Sequence, residues 1–130
     1  MTQTKPQEVK KSKNYPEHDA ILDNFQRYSG FIKGGYQANY LGGVIHKDFF
    51  VLDIPENDRI AEGDLPLFDE EYFEWVDILQ SVLDAGDSYT IVELGAGFGR
   101  WGAIGILAAR LKGIEKLHTI LVEAEPQHIE

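Results

Sequence analysis

Between Thr90 and Leu111 the sequence reads TIVELGAGFGRWGAIGILAARL, and five glycines fall inside it. The flanks are regular. TIVEL (90–94) is a β-branched apolar run that predicts a buried strand, and RWGAIGILAARLKG (100–113) predicts a helix ending at Lys112 and Gly113. Glycine weakens strands and helices alike, so the spacing restricts the fold: the backbone must be bare where the strand turns into the helix. A second apolar run, LHTILVEAEP (117–126), predicts another buried strand ending in acids and Pro126. Strand, glycine loop, helix and strand make one βαβ unit with parallel strands, and hence an α/β fold. A loop at that point lies on the carboxyl edge of the sheet, where open α/β sheets bind ligands. The helix N-terminus adds unpaired N–H groups and a positive dipole end. One glycine suffices for a tight turn. Gly95, Gly97 and Gly99 in alternation exceed that need and point to a ligand lying against the backbone.

The stretch fits two ligand classes. Gly97, Gly99 and Gly102 match the dinucleotide fingerprint G-x-G-x-x-G. Glu93, Gly95, Gly97 and Gly99 read as acid-x-G-x-G-x-G, which is similar to the first motif of class I S-adenosylmethionine-dependent methyltransferases. Two points favour the second frame. Glu93 is a carboxylate near the end of a buried strand, costly without a partner. S-adenosylmethionine offers an ammonium and a sulfonium, whereas a pyrophosphate would be repelled. In the dinucleotide frame, moreover, the first glycine comes late, after Gly95 and Ala96 have already left the strand. Glu123 ends the strand TILVE, where a carboxylate can accept hydrogen bonds from ribose hydroxyls. That feature is common to both classes. Glu125 lies beyond the strand end and is expected in solvent.

Composition narrows the classes further. The 130 residues suit one domain, and 43% hydrophobic with 26% charged residues is ordinary for a globular chain. No cysteine is present, which removes disulfides, thiolate metal sites and a cysteine nucleophile, and fits a reducing compartment. The formal charge of −10 repels phosphate backbones, so no nucleic-acid partner is expected. No secretory leader is visible. The longest apolar run, 101–109, is far short of the ~20 residues that span a bilayer, so no membrane association and a cytoplasmic location are expected.

Upstream, residues 1–16 carry four lysines and little periodicity and read as a disordered basic tail. Residues 17–30 place Ile21, Leu22, Phe25 and Tyr28 at helical spacing before Gly30. Residues 35–53 hold two strand-like runs around Gly42 and Gly43, which suggests a hairpin. Residues 53–68 read as a loop, and the ten carboxylates from Asp53 to Asp77 as a solvated acidic face with no metal-ligand spacing. Residues 68–88 predict a helix capped by Asp69, favoured by Glu70 and Glu71, striped by Tyr72, Val76, Leu79, Val82 and Leu83, with Trp75 at the stripe's edge and Gly86 as the stop.

VELGAGFGRWGA followed by LVEAEPQH resembles the FkbM-type branch of class I methyltransferases, whose second strand ends in an acid closely followed by proline. YLGGVIHKDFF and FDEEYFEWVDILQSVL resemble the N-terminal extension of some members. The likeness covers roughly residues 35–130. It implies S-adenosylmethionine as cofactor, with Glu93 at the ligand's amino-acid end, Gly95, Ala96, Gly97 and Gly99 as the floor under the methionine moiety, Glu123 on the ribose hydroxyls and Ala124 beside the adenine. Arg100 and Trp101 are expected to make a salt bridge and packing. The implied reaction is O-methyl transfer to a sugar or another small metabolite. The expected fold is a Rossmann-like sheet of which the first βαβ unit (89–130) is present and the remainder missing, preceded by a helical and hairpin extension (17–88). The chain is thus expected to be the N-terminal part of a longer enzyme. Catalytic residues are not identified, and His18, His46, His118 and His128 form no ligand pattern. Open apolar strand edges also invite self-association. Two alternatives stand beside this reading: a dinucleotide-binding domain for NAD or FAD, and a non-enzymatic interaction module.

Overall fold

A computed structural model describes residues 16–49, 53–67 and 71–128. The expectations for the N-terminal tail, for residues 50–52 and for Asp69 and Glu70 lie outside the described residues. The described elements run α1 (Pro16–Leu22), β1 (Ser29–Ile32), β2 (Tyr36–Ala38), β3 (Val44–His46), β4 (Arg59–Glu62), α2 (Tyr72–Asp84), β5 (Ser88–Leu94), α3 (Arg100–Leu111) and β6 (Lys116–Val122). They make a small α/β structure with three two-stranded sheets: β1 with β4, β2 with β3, and β5 with β6.

The βαβ unit forms as the apolar runs require. β5 and β6 pair in parallel over seven residues, from Ser88 opposite Lys116 to Leu94 opposite Val122. α3 crosses between them and packs on both. Gly113 ends α3 with a positive φ of 81°. The Gly113 N–H donates to the Arg110 carbonyl and the Ile114 N–H to Ala109, the paired bonds that close a helix on a left-handed glycine. Tyr89 and Ile91 face the helix, while Val92, Leu94, Ile120 and Val122 on the other face are 50–76% exposed.

The core joins this unit to the residues before it. Trp75, Leu79 and Val82 of α2 cluster with Ile104, Ala108 and Ala109 of α3, with Tyr89 and Ile114, and with Phe25, Tyr40 and Leu41. Trp75 is 5% exposed, so it belongs to the core and not to its edge. Its position follows from helical geometry: residues 72, 75, 76, 79 and 82 share one face.

Four other expectations are corrected. The helix expected over 17–30 stops at Leu22, where the chain turns: the Leu22 carbonyl accepts the Phe25 N–H, and the Tyr40 hydroxyl lies against the carbonyls of Leu22 and Phe25. Burial pushes that phenol's pKa above its usual value, with Asp23 adding to the effect. The Tyr28 N–H then donates to the Tyr40 carbonyl, and the chain leaves as β1 with Gly30 inside the strand. The loop expected over 53–68 contains β4, antiparallel to β1 from Ser29 opposite Glu62 to Ile32 opposite Arg59. Arg27 reinforces this pairing by reaching Glu62 at 2.9 Å and the Gly63 carbonyl at 2.7 Å.

The hairpin around Gly42 and Gly43 forms, with Tyr36 opposite His46 and Ala38 opposite Val44. Its second strand is shorter than the apolar run suggests. After His46 the chain enters a 3-10 turn over Lys47–Phe49, held by the Lys47 N–H on the Gly35 carbonyl and by a Lys47–Glu56 ion pair. α2, finally, stops before Gly86: Ala85 is already extended, with φ −70° and ψ 150°.

Candidate functional site

The expected site residues lie where β5 and β6 end side by side. Gly95, Gly97 and Gly99 all have positive φ, at 66°, 55° and 75°. That region is unfavourable for residues bearing a Cβ, so alternation of glycine is what lets the loop coil this way. The glycines then divide into two groups. A Cβ placed on Gly95 or Gly97 would meet no atom of the described residues within 4 Å. A Cβ on Gly99 would lie 2.6 Å from Leu121 Cδ1, on Gly102 2.8 Å from Leu121 Cδ2, and on Gly105 2.8 Å from Ile91 Cδ1. The later glycines therefore allow α3 to sit close on the two strands. The first two leave bare backbone facing open space.

Ala96, between them, is turned inward. It is 6% exposed, and its N–H donates to the Val122 carbonyl at 3.0 Å, which pins the loop across the end of β6. Gly99 takes the position before the first turn of α3, and the Ala103 N–H donates to its carbonyl at 3.0 Å.

Two carboxylates complete the arrangement. Glu123, half-buried just past β6, accepts the Gly97 N–H on Oε2 and the Glu125 N–H on Oε1, the latter at 2.8 Å. Glu93, half-buried at the end of β5, accepts the Gly102 N–H at 2.9 Å. The partner that a carboxylate there requires is thus the N-terminus of α3, whose dipole favours a negative charge. Ala124 lies beside Glu123 and is exposed. Gly97 and Glu123 are brought into direct contact, while Glu93 is turned under the helix. The loop therefore presents unobstructed backbone, a carboxylate at the end of the second strand and a negative local charge.

Arg100 and Trp101 open α3. Arg100 pairs with Glu71 at 2.7 Å and lies over the Trp101 ring, 4.8 Å from its centroid. Trp101 meets Trp75 edge-on at 6.0 Å. One contact at the loop escaped the sequence reading. Phe98, at its tip, meets Phe49 of the 3-10 turn with ring centroids 5.1 Å apart and planes at 83°. Its signal was present: a phenylalanine inside a glycine loop is expected to need a neighbour or a ligand.

Away from the loop, a cleft of about 280 Å³ opens among Ile32, Ile54, Arg59 and Asp64. Among the described residues, no group of three or more His, Asp or Glu is placed to hold a metal ion, and no helix is long and apolar enough to cross a membrane.

No family model and no solved structure matches the chain. The chain is 31% identical over 112 residues to a protein of Jannaschia sp. (strain CCS1) named "Putative methyltransferase"; the match covers 84% of this chain and 39% of that protein. The chain thus spans about two fifths of the length of the curated relative it matches.

Proposed function

We propose that the glycine loop is the S-adenosylmethionine seat of a methyltransferase with a Rossmann-like sheet, of the FkbM-like branch of class I. The methyl acceptor on this reading is an oxygen of a sugar or another small metabolite. One observation carries the proposal: bare left-handed backbone at Gly95 and Gly97 stands beside Glu123 at the adjoining ends of two parallel strands. The relative named as a methyltransferase supports the same reading.

The residues present fit the group. Gly95 and Gly97 have room for a ligand against the backbone. Glu123 is held in place by loop N–H groups, and a carboxylate can accept about four hydrogen bonds, so hydroxyls can join those donors. Glu93 keeps the floor negative, which suits a ligand carrying an ammonium and a sulfonium. Small, exposed Ala124 leaves a flat approach for an adenine beside the ribose acid. When bound, the cofactor supplies a methyl group on a good leaving group, and alignment of the acceptor does most of the remaining work. This chain's own residues hold, orient and neutralise.

The dinucleotide frame fits less well. Its second glycine, Gly99, is the one that lets a backbone approach a pyrophosphate. Here Gly99 is buried against Leu121, and two carboxylates flank the loop.

The test is isothermal titration of the chain with S-adenosylhomocysteine, with NAD as control. Saturable heat from the former alone is the expected result. Binding of NAD alone, or of neither compound, would overturn the assignment of the loop.

A further inference from the structure

β4 inverts the alternation expected of a strand that covers a core. Ile60 faces out, 77% exposed, while the charged Arg59 and the small Ala61 are the half-buried positions. Both line the cleft of about 280 Å³. A charge turned inward and an isoleucine turned outward break a local rule, and folded chains break such rules chiefly at functional sites. The guanidinium is fixed at one end, where its Nη2 donates to the Tyr36 carbonyl at 3.0 Å. Its Nη1 is shut off from solvent, and among the described residues no group accepts a hydrogen bond from it. The carboxylates of the cleft do not serve it: Glu62 pairs with Arg27, and Asp64 accepts from the Gln37 amide. A buried charged donor without an acceptor is costly and calls for an explanation. The rest of the cleft is apolar, with Ile32, Ala38 and Ile54 each 7% exposed or less. Apolar walls with a few fixed polar groups are the make-up of small-molecule sites.

We propose that this cleft binds a small hydroxycarboxylate, whose single carboxylate accepts from the Arg59 guanidinium and whose hydroxyls donate to Asp53 and Asp64. A carboxylate matches the planar guanidinium and makes charge-assisted hydrogen bonds with it. The acceptor reaches Nη1 through a small turn of the side chain, since less than 1 Å² of that atom is open to solvent. The acids of the cleft then set the ligand's charge. Arg59 neutralises one negative group, whereas a phosphate dianion meets Asp53, Glu62 and Asp64 as well. Carboxylate oxygens accept only, so their complement on the ligand is a hydroxyl. The inference uses no residue of the proposed cofactor seat and stands apart from it.

The experiment is titration of the full chain with glycerate and glucuronate, with glucose and glucose 6-phosphate as controls. At least one of the two acids is expected to bind saturably, and both controls at least about tenfold more weakly. Arg59→Gln keeps a donor but removes the charge and the fork, and should weaken the acid about tenfold or more. Because Arg59 also holds the Tyr36 carbonyl, its variant is checked for folding by circular dichroism. Asp53→Asn provides a second reading at an exposed position. It should narrow the preference for the acid over glucose 6-phosphate about threefold to tenfold by removing one repelling charge. Three results would overturn the inference: no binding of either acid, equal binding of acid and controls, or acid affinity unchanged in folded Arg59→Gln. Should that variant not fold, an unchanged preference in Asp53→Asn would overturn it instead.

Discussion

The two halves of the glycine run use one residue type for opposite ends. In the loop half, Gly95 and Gly97 leave space empty. In the helix half, Gly99, Gly102 and Gly105 let space be filled, drawing α3 onto Leu121, Thr119 and Ile91. Glycine in a motif is thus ambiguous until its surroundings are known. It marks a ligand only where nothing of the protein occupies the position that a side chain would take.

Substitutions can break this contrast. The largest effect is expected for Gly97→Val, which fills the open position. Affinity for S-adenosylhomocysteine should fall by more than about 100-fold, equivalent to ~2.7 kcal/mol. The left-handed backbone adds a strain of about 1–2 kcal/mol, visible as a modest loss in denaturant unfolding. Retained affinity would remove the loop half from function. Gly105→Val is the converse experiment. Its methyl groups would collide with Ile91 and Tyr89, and overpacking should cost about 1–3 kcal/mol in urea unfolding, with binding per folded molecule unchanged. Loss of binding without loss of stability would reverse the assignment of the two halves.

Glu123→Gln sharpens the contrast at the loop itself. Replacing a charged acceptor with a neutral amide should weaken S-adenosylhomocysteine about tenfold in the same titration, with little change in stability. Glu71→Gln should do least. The Arg100–Glu71 pair is partly exposed, so a change within about 1 kcal/mol is expected in urea unfolding, shrinking further as salt is added.

The βαβ unit was legible because each of its signals is local. TIVEL and TILV are β-branched runs, the glycines sit between strand and helix, and Gly113 terminates α3, its own N–H bonded three positions back and the next one, of Ile114, five back. The β1–β4 sheet was not legible. Each strand has four residues, and Ile32 and Arg59 pair across 26 intervening positions, with nothing in SGFI or RIAE to announce the partner. The early end of α1 is a similar case, since the hydroxyl at its last carbonyl, that of Leu22, comes from Tyr40, 18 positions on. Trp75 could have been placed from periodicity alone. At the loop, the sequence marked which residues gather there, but the division of the glycines depends on Leu121 and Ile91, whose approach only the folded chain defines.

On the proposed reading, the Glu123 carboxylate, already tied to the Gly97 and Glu125 amides, sets the kinetic character of the site. A loop stapled to the neighbouring strand has lost its conformational freedom during folding, before any ligand arrives. Little ordering entropy remains to be lost at encounter. Association should therefore be a single fast phase whose rate scales linearly with ligand concentration, without the plateau that a slow rearrangement of the loop would impose.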